Sequence, residues 1–239
     1  MSGDTLYWLL RRALDVTVWG GQLIGDVTQL PPDGAVFVAN HAGSIGPIAV
    51  AASLPVRLHP WVIGDMLERE KAGAYLSRDF LKAELHLPDR LAAPISAAMS
   101  RLTVWLLRRI GCIPVGHDRE LLETYRISDE YLAAGRSLLV LPEDPGLPID
   151  RRTGMRPFKT GFAHLGTLHF ARTHRSLTFY PLAVHRASRR VQLGEPIMYN
   201  PQNAEARERR RVAQVLESVI AGMLAGTLDW VGAGMRQPH

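Results

Sequence analysis

Ala35-Val36-Phe37-Val38-Ala39-Asn40-His41-Ala42-Gly43-Ser44-Ile45-Gly46-Pro47 is the stretch around which the chain is organised. Its short apolar run, rich in β-branched and aromatic residues, predicts a buried strand that ends in a Gly/Ser turn before a second apolar run, 48–54. His41 therefore lies where a predicted strand ends. Because the unperturbed pKa of histidine is near neutrality, a histidine held there can take a proton from a substrate hydroxyl. The alternative is a histidine that merely caps the following helix.

Composition limits the class of protein. The chain has 239 residues, of which 46% are apolar, so it can bury a full core. A net charge of +5 and a pI of about 9.7 favour a negatively charged partner such as phosphate, anionic lipid or an acidic carrier. No basic block is interleaved with aromatic residues, which argues against nucleic acid. The single cysteine, Cys112, excludes an internal disulfide, and the scattered histidines predict no metal site.

Strand-like and helix-like segments alternate along the rest of the chain. Strands are predicted near 35–39, 61–64, 112–115, 137–141, 177–184 and 191–193. Helices are predicted over 94–110, 118–134, 160–172 and 203–228. In the first of them, one face carries Ile95, Met99, Leu102, Leu106 and Ile110. This alternation predicts an α/β fold in which a mixed, mostly parallel sheet is flanked by helices.

The N-terminal segment, residues 1–30, is predicted to form an amphipathic helix. Its apolar run is interrupted by charges, so it is too short to span a bilayer, and it lacks the order of a secretory signal. One side of the helix carries Leu6, Leu9, Leu10, Ala13, Leu14 and Val18, and the other carries Trp8, Arg11, Arg12, Asp15 and Trp19. This pattern favours a helix in the membrane interface, and a helix packed on the domain is the alternative.

The C-terminal segment, residues 201–239, is predicted to be an amphipathic helix followed by a tail. It begins with an arginine cluster, Arg207, Arg209, Arg210 and Arg211. Such a helix usually packs on its own domain, and the cluster is also a candidate for contact with anionic head groups.

Three further stretches follow the opening one in a fixed order. They are Gly111-Cys112-Ile113-Pro114-Val115-Gly116-His117-Asp118-Arg119, then Leu139-Val140-Leu141-Pro142-Glu143-Asp144 with Phe158-Lys159-Thr160-Gly161, and last Phe179-Tyr180-Pro181-Leu182-Ala183-Val184. Together the four stretches resemble the four sequence blocks of the glycerolipid acyltransferase family, which contains the bacterial 1-acylglycerol-3-phosphate acyltransferases. The resemblance covers roughly residues 35 to 196 and implies an acyltransferase-like α/β domain over 31–200.

The resemblance also implies an activity. The expected reaction moves a fatty acyl group from acyl-CoA or acyl carrier protein to a hydroxyl of a lysophospholipid, in glycerophospholipid biosynthesis or remodelling. It is expected at the cytoplasmic membrane face, with no metal, no cofactor and no covalent intermediate. His41 is then the general base, and Glu143 lines the polar-substrate site. Because both residues follow predicted strands of one sheet, we expect them to lie side by side in a groove at the same edge. The implied substrate-binding residues are Asn40, Ser44, His117, Arg119, Arg151, Arg152, Arg156, Lys159, Thr160 and Gly161. The alternative for the basic ones is a solvated loop.

The chain departs from the family pattern at the residue that should orient His41. The family's first block reads Asn-His, four residues, Asp, and Gly46 stands at that aspartate. By analogy with other His–carboxylate pairs, losing the partner costs orders of magnitude in rate. One interpretation is that another carboxylate takes its place, with Asp144, Glu143 and Asp118 in that order of preference. The other is a degenerate, non-catalytic relative with a decayed site, in which Gly46→Asp is expected to raise acyl transfer, provided that the φ angle of the turn tolerates a side chain.

Two other blocks differ as well. Asp144-Pro145-Gly146 stand where the family has Gly-Thr-Arg, and His117 stands where its second block has Arg. These changes at the phosphate side allow a third hypothesis, an acyltransferase for another acceptor such as a sugar. A serine hydrolase is disfavoured, because Ala42-Gly43-Ser44-Ile45-Gly46 lacks the first glycine of the Gly-x-Ser-x-Gly motif.

Overall fold

The structure, a computed structural model, describes residues 3–30, 34–43, 45–77, 88–116 and 119–226. Its helices are α1 (Gly3–Leu14), α2 (Ile45–Ser53), α3 (Arg69–Tyr75), α4 (Asp89–Ile110), α5 (Arg119–Ala133), α6 (His164–Thr173) and α7 (Glu205–Leu224). Its strands are β1 (Gln22–Ile24), β2 (Val36–Ala39), β3 (Leu58–Ile63), β4 (Ile113–Val115), β5 (Ser137–Val140), β6 (Thr178–His185), β7 (Arg190–Leu193) and β8 (Ile197–Met198). A π-helical turn, Asp15–Trp19, extends α1.

The strands form one mixed sheet in the order β1-β7-β6-β2-β5-β3-β4, with β8 beside β6. The five strands from β6 to β4 are mutually parallel, and β7 and β8 run antiparallel to β6. The predicted mixed, mostly parallel sheet flanked by helices is therefore confirmed. The six predicted strands are present with ends shifted by a few residues, and the short strands β1 and β8 were not predicted.

Strand β2 lies at the centre and has a hydrophobic core on each face. Val36 and Val38 point into one core, which also contains residues of α5, α6 and α7. Phe37 and Ala39 point into the other core, with residues of α2. Because both faces are covered, all four residues of β2 are buried, which explains its continuous apolar sequence. The side of α2 is called the front face below, and the side of α5, α6 and α7 the back face.

The N-terminal segment belongs to the front face and to the sheet. Strand β1 pairs with β7, and the Tyr7 hydroxyl accepts the Leu58 N–H at 3.1 Å. Trp19, which helical spacing groups with the charged residues, is 1% exposed, whereas Leu9 on the apolar side is 56% exposed. Tyr7 and Trp19 are therefore the side chains that anchor the segment. In the part of the chain described, no helix is both long and apolar enough to cross a bilayer.

A buried carboxylate fixes the start of α7 on the back face. Glu208 is fully buried and accepts hydrogen bonds from the Arg211 guanidinium, from the Asn203 amide at 2.6 Å and from the Asn200 N–H at 2.8 Å. The bond from Arg211, reinforced by the two asparagines, lowers the pKa of Glu208 from 4.5 to about 2. The ionised carboxylate therefore stabilises the folded chain.

This arrangement predicts how stability depends on pH. Because folding lowers the pKa of Glu208, its contribution is complete above the unfolded-state value of 4.5 and is lost as pH falls towards 2. We expect Glu208→Gln to lower the free energy of unfolding at neutral pH by roughly 2–3 kcal/mol. Urea denaturation between neutral pH and about pH 3 measures this. The control is Glu123→Gln on the exposed side of α5, for which a much smaller change is expected. Equal pH dependence in the parent and Glu208→Gln would contradict the assignment.

Candidate functional site

The candidate site lies at the carboxyl ends of β2 and β5, which are neighbours in the sheet. The chain leaves β2 towards α2 on the front face and leaves β5 towards α6 on the back face. Adjacent parallel strands whose connections diverge to opposite faces leave a crevice between them, the usual ligand position in open α/β sheets. His41 follows β2, and Glu143 follows β5.

The Glu143 carboxylate joins the segments around this crevice. One oxygen accepts the His41 backbone N–H at 2.6 Å, and the other accepts the Arg156 N–H at 3.0 Å. The prediction that His41 and Glu143 meet at one edge of the sheet is confirmed. The bonds go to the backbone of His41 and not to its ring, which is exposed. Glu143 therefore positions the turn that carries the imidazole.

Asp144 does not reach the His41 ring, although the sequence made it the first candidate to replace the missing aspartate. Its Oδ1 accepts the Gly146 N–H at 3.0 Å and lies 3.5 Å from the Lys159 ammonium. Asp118, the third candidate, lies outside the described residues. Among the residues whose placement is described, no carboxylate is hydrogen-bonded to the imidazole of His41.

Asn40 is buried directly beneath the candidate base. It is 4% exposed, its Nδ2 donates to the Val184 carbonyl at 3.3 Å, and its Oδ1 accepts the Val184 N–H at 2.7 Å. The side-chain amide thus continues the β2–β6 ladder one residue beyond Ala39. With both polar atoms bound to backbone, Asn40 holds the strand end in place. This geometry does not match the substrate contact that the sequence suggested.

The turn after His41 is tight, and Gly46 is essential to it. Ala42 and Gly43 both have positive φ, at 47° and 68°, whereas the φ of Gly46 lies outside the left-handed region. A Cβ on Gly46 would lie 1.9 Å from the His41 carbonyl oxygen. Glycine is therefore needed at position 46 because of this close contact, and not because of an unusual φ angle. The condition attached to Gly46→Asp, that the turn tolerates a side chain, is therefore not met, because a Cβ at this position collides with the backbone.

The arginine-rich loop between β5 and α6 is fixed at its base. An antiparallel bridge pairs Glu143 with Phe158, and the Lys159 N–H donates to the Pro142 carbonyl at 2.8 Å. Phe158 is buried, and its N–H donates to the carboxylate of Glu217 on α7 at 2.7 Å. The loop is therefore held between the end of β5 and the back-face helix α7.

The basic side chains of this loop differ in the hydrogen bonds and ion pairs that they make. Arg151 and Arg152 are exposed at its tip, and within the described residues neither makes an ion pair. The Arg156 Nε donates to the Leu147 carbonyl at 3.3 Å, and Lys159 lies near Asp144. The loop thus presents two free guanidinium groups at its tip and two partly engaged cations at its base.

The other predicted site residues lie farther along the edge or outside the described part. Arg119 begins α5 after β4, three strands from β2, which corresponds to roughly 14 Å along the edge. Thr160 precedes a short 3₁₀ turn, and the Gly161 carbonyl accepts the Tyr125 hydroxyl at 2.9 Å. Ser44 and His117 lie outside the described residues.

One basic group at the same edge was not predicted. Strand β6 is parallel to β2, so the hairpin that joins it to β7 projects from the same edge of the sheet as the His41 turn. The hairpin carries Arg186 and Arg189, and Arg190 begins β7. The basic run between two predicted strands was visible in the sequence. Its position at this edge depends on the strand order, which the sequence did not give.

Comparisons with protein-family models and with curated proteins find no match for this chain. Within the described residues, no group of three or more His, Cys, Asp or Glu side chains is placed to hold a metal ion.

The tight turn gives a test of the local geometry. We expect Gly46→Ala to destabilise the protein by about 1–3 kcal/mol, because the added methyl group forces the His41 carbonyl to move, and Gly46→Asp to be at least as harmful. Urea denaturation at neutral pH measures the change. The control is Gly73→Ala within α3, where the new Cβ meets Ser100 at an ordinary 3.7 Å and stability should be equal or higher. A Gly46→Asp variant as stable as the parent would show that the turn is looser than described.

Proposed function

We propose that this protein is an O-acyltransferase that moves a fatty acyl group from acyl-CoA or acyl carrier protein to a hydroxyl of a lysophospholipid-type acceptor. The observation that carries the proposal is the placement of an exposed His41 at a sheet-edge crevice, with Glu143 tying its turn to an arginine-rich loop. The resemblance of the four sequence blocks to the glycerolipid acyltransferases supports the same reaction.

In the proposed reaction, His41 acts as a general base towards the acceptor hydroxyl. The imidazole takes the hydroxyl proton while the oxygen attacks the thioester carbonyl, and a tetrahedral intermediate forms. Its collapse breaks the carbon–sulfur bond, and the imidazolium returns the proton to the leaving thiolate. The products are an ester and a free thiol, so the step needs no metal and no covalent enzyme intermediate.

The basic loop is the proposed contact for the acceptor's anionic head group. Arg151 and Arg152 are exposed, and the Glu143 bond to the Arg156 backbone fixes the base of their loop against the His41 turn. A cation near an anionic head group orients the neighbouring hydroxyl towards the base, which lowers the entropic cost of reaction. Charge-assisted hydrogen bonds from arginine suit phosphate.

A second candidate function is a non-catalytic lipid-binding relative that keeps the fold. The observation that favours it is the imidazole of His41, which no carboxylate orients within the described residues. Without such a partner, the imidazolium that forms during proton transfer gains less stabilisation, so the proposed enzyme is expected to be slow. A third candidate is an acyltransferase for another acceptor, such as a sugar. Thiol release from acyl-CoA with that acceptor, and not with a lysophospholipid, would distinguish it from the first candidate.

We further propose that the protein associates peripherally with the cytoplasmic membrane face through α1. The sequence suggested that the arginine cluster of α7 also contacts anionic head groups. The position of the cluster does not fit a membrane bound at α1. Helix α7 packs on the back face and α1 on the front face. Within the cluster, Arg209 pairs with Glu205, and Arg211 pairs with Glu208. The cluster therefore lies on the other side of the sheet from α1.

The central test is the loss of the candidate base. We expect His41→Gln to reduce thiol release from acyl-CoA in the presence of a panel of lysophospholipids by at least about a hundredfold, the usual effect of removing a general base. The control is His174→Asn, an exposed histidine with a φ of 56° after α6, at the opposite edge of the sheet, where asparagine tolerates the same backbone.

The outcome of this assay separates the candidate functions. Activity in the parent and in His174→Asn, together with loss in His41→Gln, supports the acyltransferase. Equal activity in parent and His41→Gln would exclude His41 as the base. No transfer to any lysophospholipid or sugar by the parent, together with retained lipid binding, would favour the non-catalytic relative.

A further inference from the structure

Helix α4 turns its apolar stripe towards solvent. Among the residues of α4 whose burial is described, Ser96, Ser100 and Val104 form the buried side, at 4%, 6% and 2% exposure. Ile95, Leu102 and Trp105 are 37%, 57% and 45% exposed, and their spacing places them on one side over three turns of the helix. A helix that buries hydroxyls and exposes Leu and Trp is typical of a surface that another phase or molecule covers.

The charges around this stripe have a single sign. Arg90, Arg101, Arg108 and Arg109 are exposed on α4, and Asp89, at the first residue, is the one acid in the sequence of the helix. The Arg109 guanidinium lies over the Trp105 ring at 5.5 Å from its centroid. Arginine beside tryptophan along an apolar stripe is the pattern of helices that lie in the interface of an anionic membrane.

Helix α1 packs beside α4 and shows the same pattern. Trp8, Leu9 and Val16 are 39%, 56% and 71% exposed, and Arg12 is exposed among them. The Arg11 guanidinium lies 5.4 Å from the Trp8 ring centroid. Exposed apolar side chains with a neighbouring arginine therefore occur on two helices that are in contact, α1 and α4.

We propose that α1 and α4 together form a membrane-docking face, defined by Trp8, Leu9, Arg12, Val16, Ile95, Arg101, Leu102, Trp105 and Arg109, and that its occupant is an anionic lipid bilayer. The proposal rests on the proposed membrane association of α1 but does not depend on catalysis. A second copy of the chain fits less well, because a two-fold contact would bring the arginines of α4 close to their own counterparts, and none of the nine residues of this face is acidic.

The first experiment measures binding to vesicles of equimolar phosphatidylcholine and phosphatidylglycerol by cosedimentation, with pure phosphatidylcholine vesicles for comparison. We expect Leu102→Gln/Trp105→Gln to weaken binding about tenfold or more, because two apolar side chains no longer enter the interface. Arg101→Gln/Arg109→Gln should weaken binding to the anionic vesicles and reduce its dependence on salt. Glutamine is a good helix former, so these exposed positions should keep their fold.

A matched control lies on the back face. Leu122 on α5 is 68% exposed, more than Leu102, and Leu122→Gln should bind vesicles like the parent. Equal loss of binding in Leu122→Gln and in the α4 variant would overturn the proposal, as would parent-like binding by the α4 variant. Equal affinity of the parent for neutral and anionic vesicles would overturn the role given to the arginines.

The single cysteine allows a second, position-specific readout. Burial raises the pKa of the Cys112 thiol to about 12, so it reacts poorly, and Cys112→Ala gives a background free of thiols. An environment-sensitive fluorophore attached at Leu102→Cys should shift to the blue on addition of the anionic vesicles. The same fluorophore at Leu122→Cys should not shift. A shift at both positions or at neither would contradict docking through α4.

Two further measurements separate this proposal from others. His41→Gln should bind vesicles like the parent. If the parent binds vesicles through α4 but transfers no acyl group, the docking face is supported and the acyltransferase is rejected. Sedimentation velocity tests the other occupant. A parent dimer that becomes monomeric in Leu102→Gln/Trp105→Gln, without binding to either vesicle, would show that a second copy covers this face and would overturn the proposal.

Discussion

The carboxylate of Glu143 is the contact on which the candidate site depends. It stands at the end of β5 and accepts backbone N–H groups from the His41 turn and from the arginine-rich loop, at Arg156. Hydrogen bonds to a charged acceptor are among the stronger ones in proteins, so one side chain fixes two loops whose residues are far apart in the sequence. The crevice has its present shape because both loops are tied to the same strand end.

The same geometry explains why the usual acid partner of a histidine base is missing. The His41 carbonyl packs so closely on Gly46 that a side chain there has no room. Asn40, one residue earlier, is bound to the Val184 backbone and cannot move to relieve the contact without breaking two hydrogen bonds. The turn is therefore built around glycine, and adding a carboxylate would require rebuilding the end of β2. In the proposed acyltransferase, the base His41 is therefore oriented by its backbone and by packing and not by a carboxylate.

The two faces of the sheet have different surfaces. On the back face, the charges of α7 are neutralised in part, because Glu205 and Glu208 pair with arginines of the same helix. On the front face, α1 and α4 expose apolar and basic side chains together, and Tyr7 and Trp19 hold α1 to the core. Because α2 begins just after the His41 turn and packs beside α1, a membrane on the front face would lie next to the crevice. An acceptor with an acyl chain in the membrane would then approach His41 along this side.

The sequence alone determined the alternation of strands and helices, and hence the parallel sheet, because apolar periodicity and turn residues act locally. It also determined that His41 and Glu143 share an edge, since both follow strands that the same alternation makes parallel. Tertiary structure alone decided which side of α4 is buried, that Trp19 anchors α1, that Asn40 binds Val184 and that Gly46 admits no side chain. Each of these depends on which residue lies opposite in space, as with Asn40 and Val184, which are 144 positions apart. Periodicity can show that a helix has two sides, but the side that faces the core is set by the elements that pack against it.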